Sequence, residues 1–407
     1  MSSATVNYRS LLRTSGAAAF FVPAAVGRVG IAMTGIALVW LVHARTGSYA
    51  DAGLATGGFA VADALVGPQL GRLVDRFGER RVVPGALAVH AVAVALLLTG
   101  AAPDPVAGAL IGATLPQLSA LSAARWSALL SGDRATALTT AFALEALANG
   151  VSFMVGPALA GVLAAGGHPE AGVLLAALLV IGGGVALTAQ RRTAPPLTGH
   201  AERRHAGRAL LRPAFLRQAA LGLALGVFFG AMQVSVAAYA TGRGTPGIAS
   251  LLYAASNCTN LVGGWAYGTW GRGVPPQRGQ AAAAAGLTVL ALPLTFLDAP
   301  LAVGATLALT GLAVPVLLIL ATVRTQAAVP RAVLTQAFTW GNSASAAGSA
   351  GAAAVAGRVV DTGGAHGGFA VAVGAAAVMA VLAAGGAAKA AEPMGAAEQQ
   401  GQDLGRP

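Results

Sequence analysis

The sequence predicts an all-α membrane protein in which twelve transmembrane helices form two pseudo-symmetric six-helix bundles. Apolar residues make up 56% of the 407 residues and charged residues only 10%, with a mean hydropathy of +0.70. A water-soluble protein normally carries about 25% charged residues, so much of this surface must face lipid. The apolar stretches are long enough to cross a hydrocarbon core of about 30 Å, and the basic residues fall between alternate stretches.

Each of the twelve apolar stretches is predicted to cross the membrane once, as a helix. Only a helix or a closed barrel satisfies every backbone polar group in lipid, and these continuous runs lack the alternation of barrel strands. The fourth and fifth stretches, and the ninth and tenth, are the least clearly separated. The predicted spans are 17–42, 50–70, 82–101, 105–128, 137–165, 171–189, 219–241, 247–267, 281–298, 300–322, 334–357 and 367–388.

The placement of the basic residues tests this count. With both termini in the cytoplasm, the outer segments hold only Arg45, Arg243 and Arg358, and Arg28 lies within the first span. The other 21 of the 25 basic residues lie on the inner side, as the positive-inside rule requires. A missed helix would scramble this bias. The sequence therefore predicts a multi-pass protein of a bacterial cytoplasmic membrane with both ends inside.

A segment rich in proline and arginine divides the chain into two halves. Ala141-Phe142 in the fifth span recurs 196 residues later as Ala337-Phe338 in the eleventh, as expected of two related bundles with the substrate bound between them. The predicted domains are an N-terminal bundle at 1–189, a cytoplasmic central loop at 190–218, a C-terminal bundle at 219–388 and a cytoplasmic tail at 389–407.

Composition and motifs exclude several classes of function. The net charge of +11 reflects topology, because the arginines are spread over the inner loops instead of forming a nucleic-acid-binding patch. The single cysteine and six scattered histidines make no metal site, and the phosphate-binding pattern G-x-x-x-x-G-K-S/T is absent. We expect no enzyme, no cofactor and no nucleic-acid partner. The expected partners of this monomer are the lipid bilayer, protons and a small-molecule substrate.

A charged hairpin joins the second and third spans. It fits the pattern G-x-L-x-D-R-x-G-x-R-R with Gly71, Leu73, Asp75, Arg76, Gly78, Arg80 and Arg81. This hairpin resembles the signature loop of the major facilitator superfamily, and the resemblance implies a secondary transporter working by alternating access. In that family the loop latches the two bundles together in one conformation. The alternative is that its arginines only anchor the topology. Gly71 is expected to end the second helix and admit close packing, and Gly78 to permit a tight turn.

The fifth span contains a second resemblance. Gly156, Pro157 and Gly161 match the G-P-x-x-G-G element of antiporters in the same superfamily, although the first glycine of the final pair is Ala160. This match favours efflux. The alternative is an ordinary interface of small residues between helices.

Three ionisable residues lie well inside predicted spans: Arg28, Asp63 and Glu145. Charges are costly when they face lipid, so we expect these side chains to point inward and toward each other. One cation against two carboxylates leaves a surplus negative charge, which favours a proton-binding site with Glu145 as first choice. One alternative is an ion pair that only fixes packing, and another is that Arg28 binds an anionic substrate.

Polar residues in other spans are candidates for a substrate cavity, although amides in spans also serve to join helices. They are Gln117, Gln233, Asn257, Asn260, Trp340 and Asn342. The function we predict is proton-coupled export of a small, partly hydrophobic molecule, such as a drug or secondary metabolite. The alternatives are a transporter of a sugar or amino-acid-like solute and a non-transporting receptor or scaffold of the same fold.

Overall fold

The computed structural model describes residues 8–195, 206–245, 248–270 and 274–391, and all regular structure in these residues is helical. The end of the predicted tail and residues 196–205 of the predicted central loop lie outside the described residues. The helices are α1 (Tyr8–Leu12), α2 (Ala17–Thr46), α3 (Tyr49–Phe77), α4 (Glu79–Thr99), α5 (Asp104–Ala113), α6 (Leu118–Leu129), α7 (Leu138–Ala165), α8 (Pro169–Ala189), α9 (Pro213–Gly242), α10 (Ile248–Trp270), α11 (Pro276–Ala291), α12 (Pro300–Ala328) and α13 (Leu334–Ala391).

These helices follow the twelve predicted crossings in order, which confirms the predicted architecture. The short α1 precedes the first crossing, and α5 and α6 together make the fourth. The last helix supplies two crossings, because Gly364 interrupts it with a φ of 65° and a ψ of −169°. This left-handed φ is readily adopted only by glycine. The chain can therefore reverse between the eleventh and twelfth crossings without a long loop.

The fourth crossing matches the predicted span at 105–128, but it is made of two helices instead of one. The chain leaves helical geometry between α5 and α6, where Pro116 and Gln117 lie. Proline has no N–H to donate and its ring clashes with the preceding turn. Gln117 has a φ of −79° and a ψ of 63°, outside the helical region. The break exposes backbone groups within the bundle and directs the Gln117 side chain toward α3.

Eight segments among the described residues are long and apolar enough to cross a membrane by composition alone. The second crossing, α3, is not one of them, since it carries Asp51, Asp63, Arg72, Asp75 and Arg76. The ninth, α11, has only 16 residues. Such helices depend on neighbouring helices to cover their polar groups. Helix α3 is therefore the first candidate among the crossings for a functional role.

Small residues allow the helices within each bundle to pack backbone against backbone. In the C-terminal bundle, a methyl group on Gly226 of α9 would overlap the carbonyl oxygen of Ser345 in α13. In the N-terminal bundle, a methyl group on Gly183 of α8 would lie 2.6 Å from the carbonyl oxygen of Pro23 in α2. Contacts of this kind are typical of membrane helices, which gain no hydrophobic energy by leaving lipid and associate through close packing.

The two bundles meet in one shared apolar cluster at the end of the fold that carries the α3–α4 loop. Residues of both halves contribute to it, including Leu11, Trp126 and Phe215. At its centre the rings of Phe142 and Phe338 pack edge to face with centroids 6.2 Å apart. These two phenylalanines belong to the repeated Ala-Phe pairs, so equivalent residues of the two halves contact each other.

We expect Gly226→Ala to lower the melting temperature of the detergent-solubilised protein, because the added methyl group forces α9 away from α13. Overpacking of this kind costs about 1–3 kcal/mol. The matched control is Gly286→Ala in α11, where a methyl group meets nothing within 4 Å. That control should melt at the wild-type temperature or slightly above it, since alanine favours helix. Equal melting temperatures for both variants would contradict the packing described above.

Candidate functional site

A buried ion pair joins α2, α6 and α7. Arg28 is 2% exposed and Glu145 is 8% exposed. Arg28 donates from Nη2 to Oε2 of Glu145 and from Nη1 to the backbone oxygen of Glu145 at 3.4 Å. The other carboxylate oxygen, Oε1, accepts from Ser122 Oγ at 2.5 Å and from Trp126 Nε1 at 2.7 Å. Glu145 therefore has a counter-ion and two further donors, as a buried charge requires.

Asp63 does not join this pair. Its Oδ1 accepts a hydrogen bond from Nε2 of Gln117 at 2.8 Å, and it takes part in none of the ion pairs found between described residues. The expectation that the three buried charges point toward each other therefore applies to Arg28 and Glu145 and fails for Asp63. The difference arises because the break before α6 brings an amide to Asp63, whereas the continuous α7 brings Glu145 to Arg28.

Asp63 lies on the side of α3 that meets the other bundle. Asp63, Gly67, Gly71 and Asp75 are spaced four residues apart, about 6 Å along a helix at each step. A methyl group on Gly67 would lie 2.9 Å from Nε2 of Gln117 and 3.3 Å from Thr339 of α13. The Asp63 carboxylate therefore stands about one turn to the outer side of the place where α3 touches the C-terminal bundle.

The signature loop makes a direct contact with the C-terminal bundle. Oδ2 of Asp75 accepts a hydrogen bond from the backbone N–H of Gln336 at 2.9 Å. Gln336 lies in the first turn of α13, where backbone N–H groups have no partner within their own helix and the helix dipole favours negative charge. This contact joins the two bundles at the end of the fold that carries the α3–α4 loop.

The glycines of the loop allow this approach. Helix α3 runs through Gly71 and ends at Phe77, so the expectation that Gly71 ends the helix is wrong. A methyl group on Gly71 would lie 2.9 Å from Oγ1 of Thr339 and 3.1 Å from Cα of Gln336. Gly78 has a φ of 86°, a value that favours glycine, and it separates α3 from α4 by a single residue.

The arginines of the loop face outward from the protein. Arg76, Arg80 and Arg81 are all exposed, and the Arg76 guanidinium lies 4.9 Å from the centroid of the Phe77 ring. This placement suits cations at the headgroup level of the inner leaflet. Asp75 accepts a hydrogen bond from the other bundle, and the three arginines place exposed positive charge next to it.

A second buried ion pair was not found by sequence reasoning. Arg125 at the end of α6 is fully buried and pairs with Glu79, the first residue of α4. Arg125 also donates to Oγ1 of Thr193 at 2.8 Å and to the backbone oxygen of Leu187 at 2.9 Å. The available signal was an acid directly after Gly78 and an arginine between apolar residues.

The antiporter-like element of α7 is a packing surface at one of its glycines. A methyl group on Gly156 would lie 2.8 Å from the backbone oxygen of Val29 in α2, whereas one on Gly161 would meet nothing within 4 Å. Pro157 lies inside α7, which remains a single helix from Leu138 to Ala165. Gly156 therefore seats α7 against α2 beside the Arg28–Glu145 pair.

The candidate cavity residues differ in their partners. Gln117 is bonded to Asp63, as described above. The side chains of the other candidates form no hydrogen bond with any described residue, and the Trp340 ring is 40% exposed. Polar groups without protein partners remain available to a ligand or water. These candidates are Gln233 in α9, Asn257 and Asn260 in α10, and Trp340 and Asn342 in α13.

The described helices form two bundles that meet along α3 and α13. The sequence profile of the Major Facilitator Superfamily matches residues 20–353. The chain belongs to this superfamily. No curated protein sequence matches it.

Solved structures of the same fold cover nearly the whole chain. A bacterial homologue of the iron transporter ferroportin, in an outward-facing state, has a TM-score of 0.73 at 13% identity, covering 91% of this chain and 99% of its own. The human organic anion transporter MFSD10 has a TM-score of 0.68 at 17% identity, with 90% and 98% covered. The transporter FucP, in an outward conformation, has a TM-score of 0.67 at 16% identity, with 90% and 99% covered. At sequence identities this low, the structural similarity shows only that these proteins share the fold of this chain.

We predict that Glu145→Gln destabilises the protein, because it leaves the Arg28 guanidinium buried without a counter-ion. Breaking a buried ion pair on one side costs about 3–5 kcal/mol. The double variant Arg28→Met, Glu145→Gln removes both charges and should melt at a higher temperature than Glu145→Gln alone. The measurement is tryptophan-fluorescence melting in detergent. A Glu145→Gln single variant as stable as wild type would show that the pair does not hold these helices.

A pH dependence is expected for the closed cytoplasmic contact. Asp75 lies beyond the predicted second span, and burial raises its pKa to about 6, although hydrogen bonds from Gln336 and Thr335 act in the opposite direction. A carboxyl whose pKa is raised by closure favours the closed state when it is protonated. The contribution of protonated Asp75 to the stability of the closed state is complete below about pH 4, and it is lost as the pH rises through about 6.

Spin labels at positions 134 and 331, in a Cys258→Ser background, report the distance between the cytoplasmic ends of the two bundles. The short distance should be more populated at about pH 5 than at about pH 7.5. Asp75→Asn imitates the protonated carboxyl and keeps an oxygen that accepts from Gln336, so this variant should stay closed at both values. The same variant should cycle more slowly without a change in substrate preference. A pH response that survives in Asp75→Asn would assign it to another group.

Proposed function

We propose that this protein is a proton-coupled secondary transporter of a bacterial cytoplasmic membrane. It exports a small, partly hydrophobic molecule by alternating access, with the two bundles rocking about a site between them. The observation that supports this proposal is the Asp63 carboxylate. It lies on the inter-bundle side of α3, partly exposed, with an amide as its partner instead of a cation.

Asp63 is better suited than Glu145 to bind and release a proton. A proton on Asp63 removes a charge that no cation among the described residues balances. A proton on Glu145 would instead leave Arg28 as an unbalanced buried cation, which is costly. The two carboxylates also differ in how easily a proton reaches them, because Glu145 is enclosed by Ser122 and Trp126. We therefore assign proton coupling to Asp63 and a structural role to the Arg28–Glu145 pair.

Gln117 links the proton site to the rest of the cavity. It donates to Asp63 and stands at the start of α6, on the broken crossing. When Asp63 is ionised, the amide stabilises the carboxylate. When Asp63 is protonated, the carboxyl can act as a donor itself, and the Gln117 amide can turn to present its oxygen. The two side chains thus form a switch whose hydrogen bonds depend on the proton.

The substrate would contact the C-terminal bundle through neutral groups. The amides of Gln233, Asn257 and Asn342 and the Trp340 ring form no hydrogen bond with another described residue, and they belong to helices α9, α10 and α13. An aromatic face and a few amides among apolar residues suit a small molecule that is partly hydrophobic. The bundle that binds the proton is therefore distinct from the bundle that supplies most of the neutral contacts.

The direction of transport is proposed from the α7 element. Gly156 and Pro157 match the antiporter pattern of the superfamily, and Gly156 packs tightly on α2. In an exporter of this kind, protons enter from outside while the substrate leaves. Closed contacts at the cytoplasmic side, through Asp75 and the Phe142–Phe338 rings, support a cavity that opens outward in this conformation.

A second candidate is proton-coupled transport of a sugar or amino-acid-like solute. The free amides also suit a ligand rich in hydroxyl groups, since each amide both donates and accepts. A fucose:proton symporter from E. coli shares the fold, with a TM-score of 0.68 at 14% identity. A non-transporting receptor or scaffold would use the fold without moving protons.

Proton flux distinguishes these candidates. The purified protein is reconstituted in vesicles with an imposed pH gradient, and a pH-sensitive dye reports dissipation when a compound is added. Dissipation by lipophilic drugs or secondary metabolites, and not by sugars or amino acids, is the expected result. Dissipation by sugars alone would favour the second candidate. No substrate-dependent flux with any compound would favour the scaffold.

We expect Asp63→Asn to abolish proton-driven transport, to the level of vesicles without protein, while exchange of substrate for substrate continues. The reason is that the amide cannot take up a proton, although the cavity keeps its shape. The matched control is Asp51→Asn, an exposed residue in the first turn of the same helix, which should transport like wild type. Proton-driven transport that persists in Asp63→Asn would transfer the coupling role to another residue.

A further inference from the structure

The two halves of the chain share a second repeat, which involves arginines at the inner ends of equivalent helices. Arg125 follows Pro116 by nine residues, and Arg324 follows Pro315 by nine residues. Each arginine stands four residues before the end of its helix, at Leu129 in α6 and at Ala328 in α12. Each also binds a side chain near the start of the preceding crossing. The fourth and tenth crossings therefore end in equivalent ways.

In the N-terminal half the charge of this arginine is fully balanced. Arg125 is 0% exposed and pairs with Glu79, which is 5% exposed. Thr193 and the backbone oxygen of Leu187 accept its remaining hydrogen bonds. No group of Arg125 is available to a ligand, because the carboxylate and the two other acceptors surround it.

In the C-terminal half the same position holds an amide. Gln280 is 1% exposed, and its Oε1 accepts from Nη1 of Arg324 at 2.5 Å. Its Nε2 donates to Oε1 of Gln218 at 3.0 Å. This arrangement positions the Arg324 guanidinium through a hydrogen bond to a buried amide. It does not neutralise the guanidinium, because an amide carries no charge.

A second arginine adds to the unbalanced charge. Arg217 is the neighbour of Gln218 in α9, and Gln218 is joined to Arg324 through the side chain of Gln280. The two arginines therefore belong to one polar cluster between α9, α11 and α12. Neither arginine takes part in an ion pair found between described residues, and both are partly exposed. Two guanidinium groups held together without a carboxylate create a site for an anion.

We propose that Arg217 and Arg324 bind the phosphate of an anionic phospholipid headgroup in the inner leaflet. Arg217 lies in the first turns of α9 and Arg324 in the last turns of α12, both at the cytoplasmic edge of the C-terminal bundle. Anionic lipids are concentrated in that leaflet, and basic pockets between transmembrane helices bind their headgroups. A guanidinium can donate two parallel hydrogen bonds to phosphate oxygens. The headgroup supplies the negative charge that Glu79 supplies in the other half.

The test titrates delipidated protein in detergent with dioctanoyl phosphatidylglycerol and follows its melting by tryptophan fluorescence. Dioctanoyl phosphatidylcholine, whose headgroup is zwitterionic, serves as the lipid control, and inorganic phosphate serves as the soluble control. We expect phosphatidylglycerol to stabilise the wild type at lower concentration than either control. Equal stabilisation by inorganic phosphate at the same concentration would assign the site to a soluble phosphate and overturn the lipid source.

The decisive variant is Gln280→Glu, which rebuilds in the C-terminal half the ion pair of the N-terminal half. It should weaken phosphatidylglycerol binding about fivefold or more, the effect of one basic charge near an anionic surface. Arg217→Gln, at the arginine that does not bind Gln280, should weaken binding by a similar factor and gives a second measurement if Gln280→Glu folds poorly. Arg192→Gln, an exposed arginine of the N-terminal half, has the same change in net charge and should bind like wild type. Unchanged binding in both Gln280→Glu and Arg217→Gln would overturn the proposal.

Discussion

The Arg28–Glu145 ion pair holds α2 against α7 in a region where no bulk water competes for either charge. Ser122 and Trp126 donate to the same carboxylate, so α6 is attached at the same point. This attachment holds α6, and Gln117 stands at the start of that helix. The partner of Asp63 is thus positioned by an ion pair in which Asp63 takes no part. A neutral packing contact would hold these helices with less precision.

Strong contacts lie within the bundles and weaker ones lie between them. The N-terminal bundle contains two buried ion pairs, and each would be costly to separate. The interface between the bundles instead uses hydrogen bonds without a paired counter-charge, a pair of phenyl rings and close contacts of small residues. Among these hydrogen bonds, Asp75 accepts from the backbone N–H of Gln336, and Thr140 donates to the backbone oxygen of Gly268. Such contacts can separate at modest cost. The distribution favours motion of the bundles as nearly rigid bodies, with the change of shape concentrated where α3 meets α13.

Much of the architecture could be predicted from the sequence, because lipid permits few structures and each crossing requires a long apolar run. The break at Pro116 was harder to foresee, since proline often occurs in membrane helices without ending them. The partners of buried charges could not be predicted, because they depend on the rotation of each helix about its axis. The sequence places Arg28, Asp63 and Glu145 well inside predicted spans, yet only Arg28 and Glu145 contact each other.

The contact between Phe142 and Phe338 has a meaning beyond packing. The halves of this fold are parallel repeats related by an axis along the membrane normal, and a residue that touches its own counterpart must lie beside that axis. Two identical six-helix chains associating as a symmetric dimer would make the same edge-to-face contact between two copies of one phenylalanine. The fused chain thus preserves, as an internal contact, an interaction that a homodimeric ancestor would have formed between subunits.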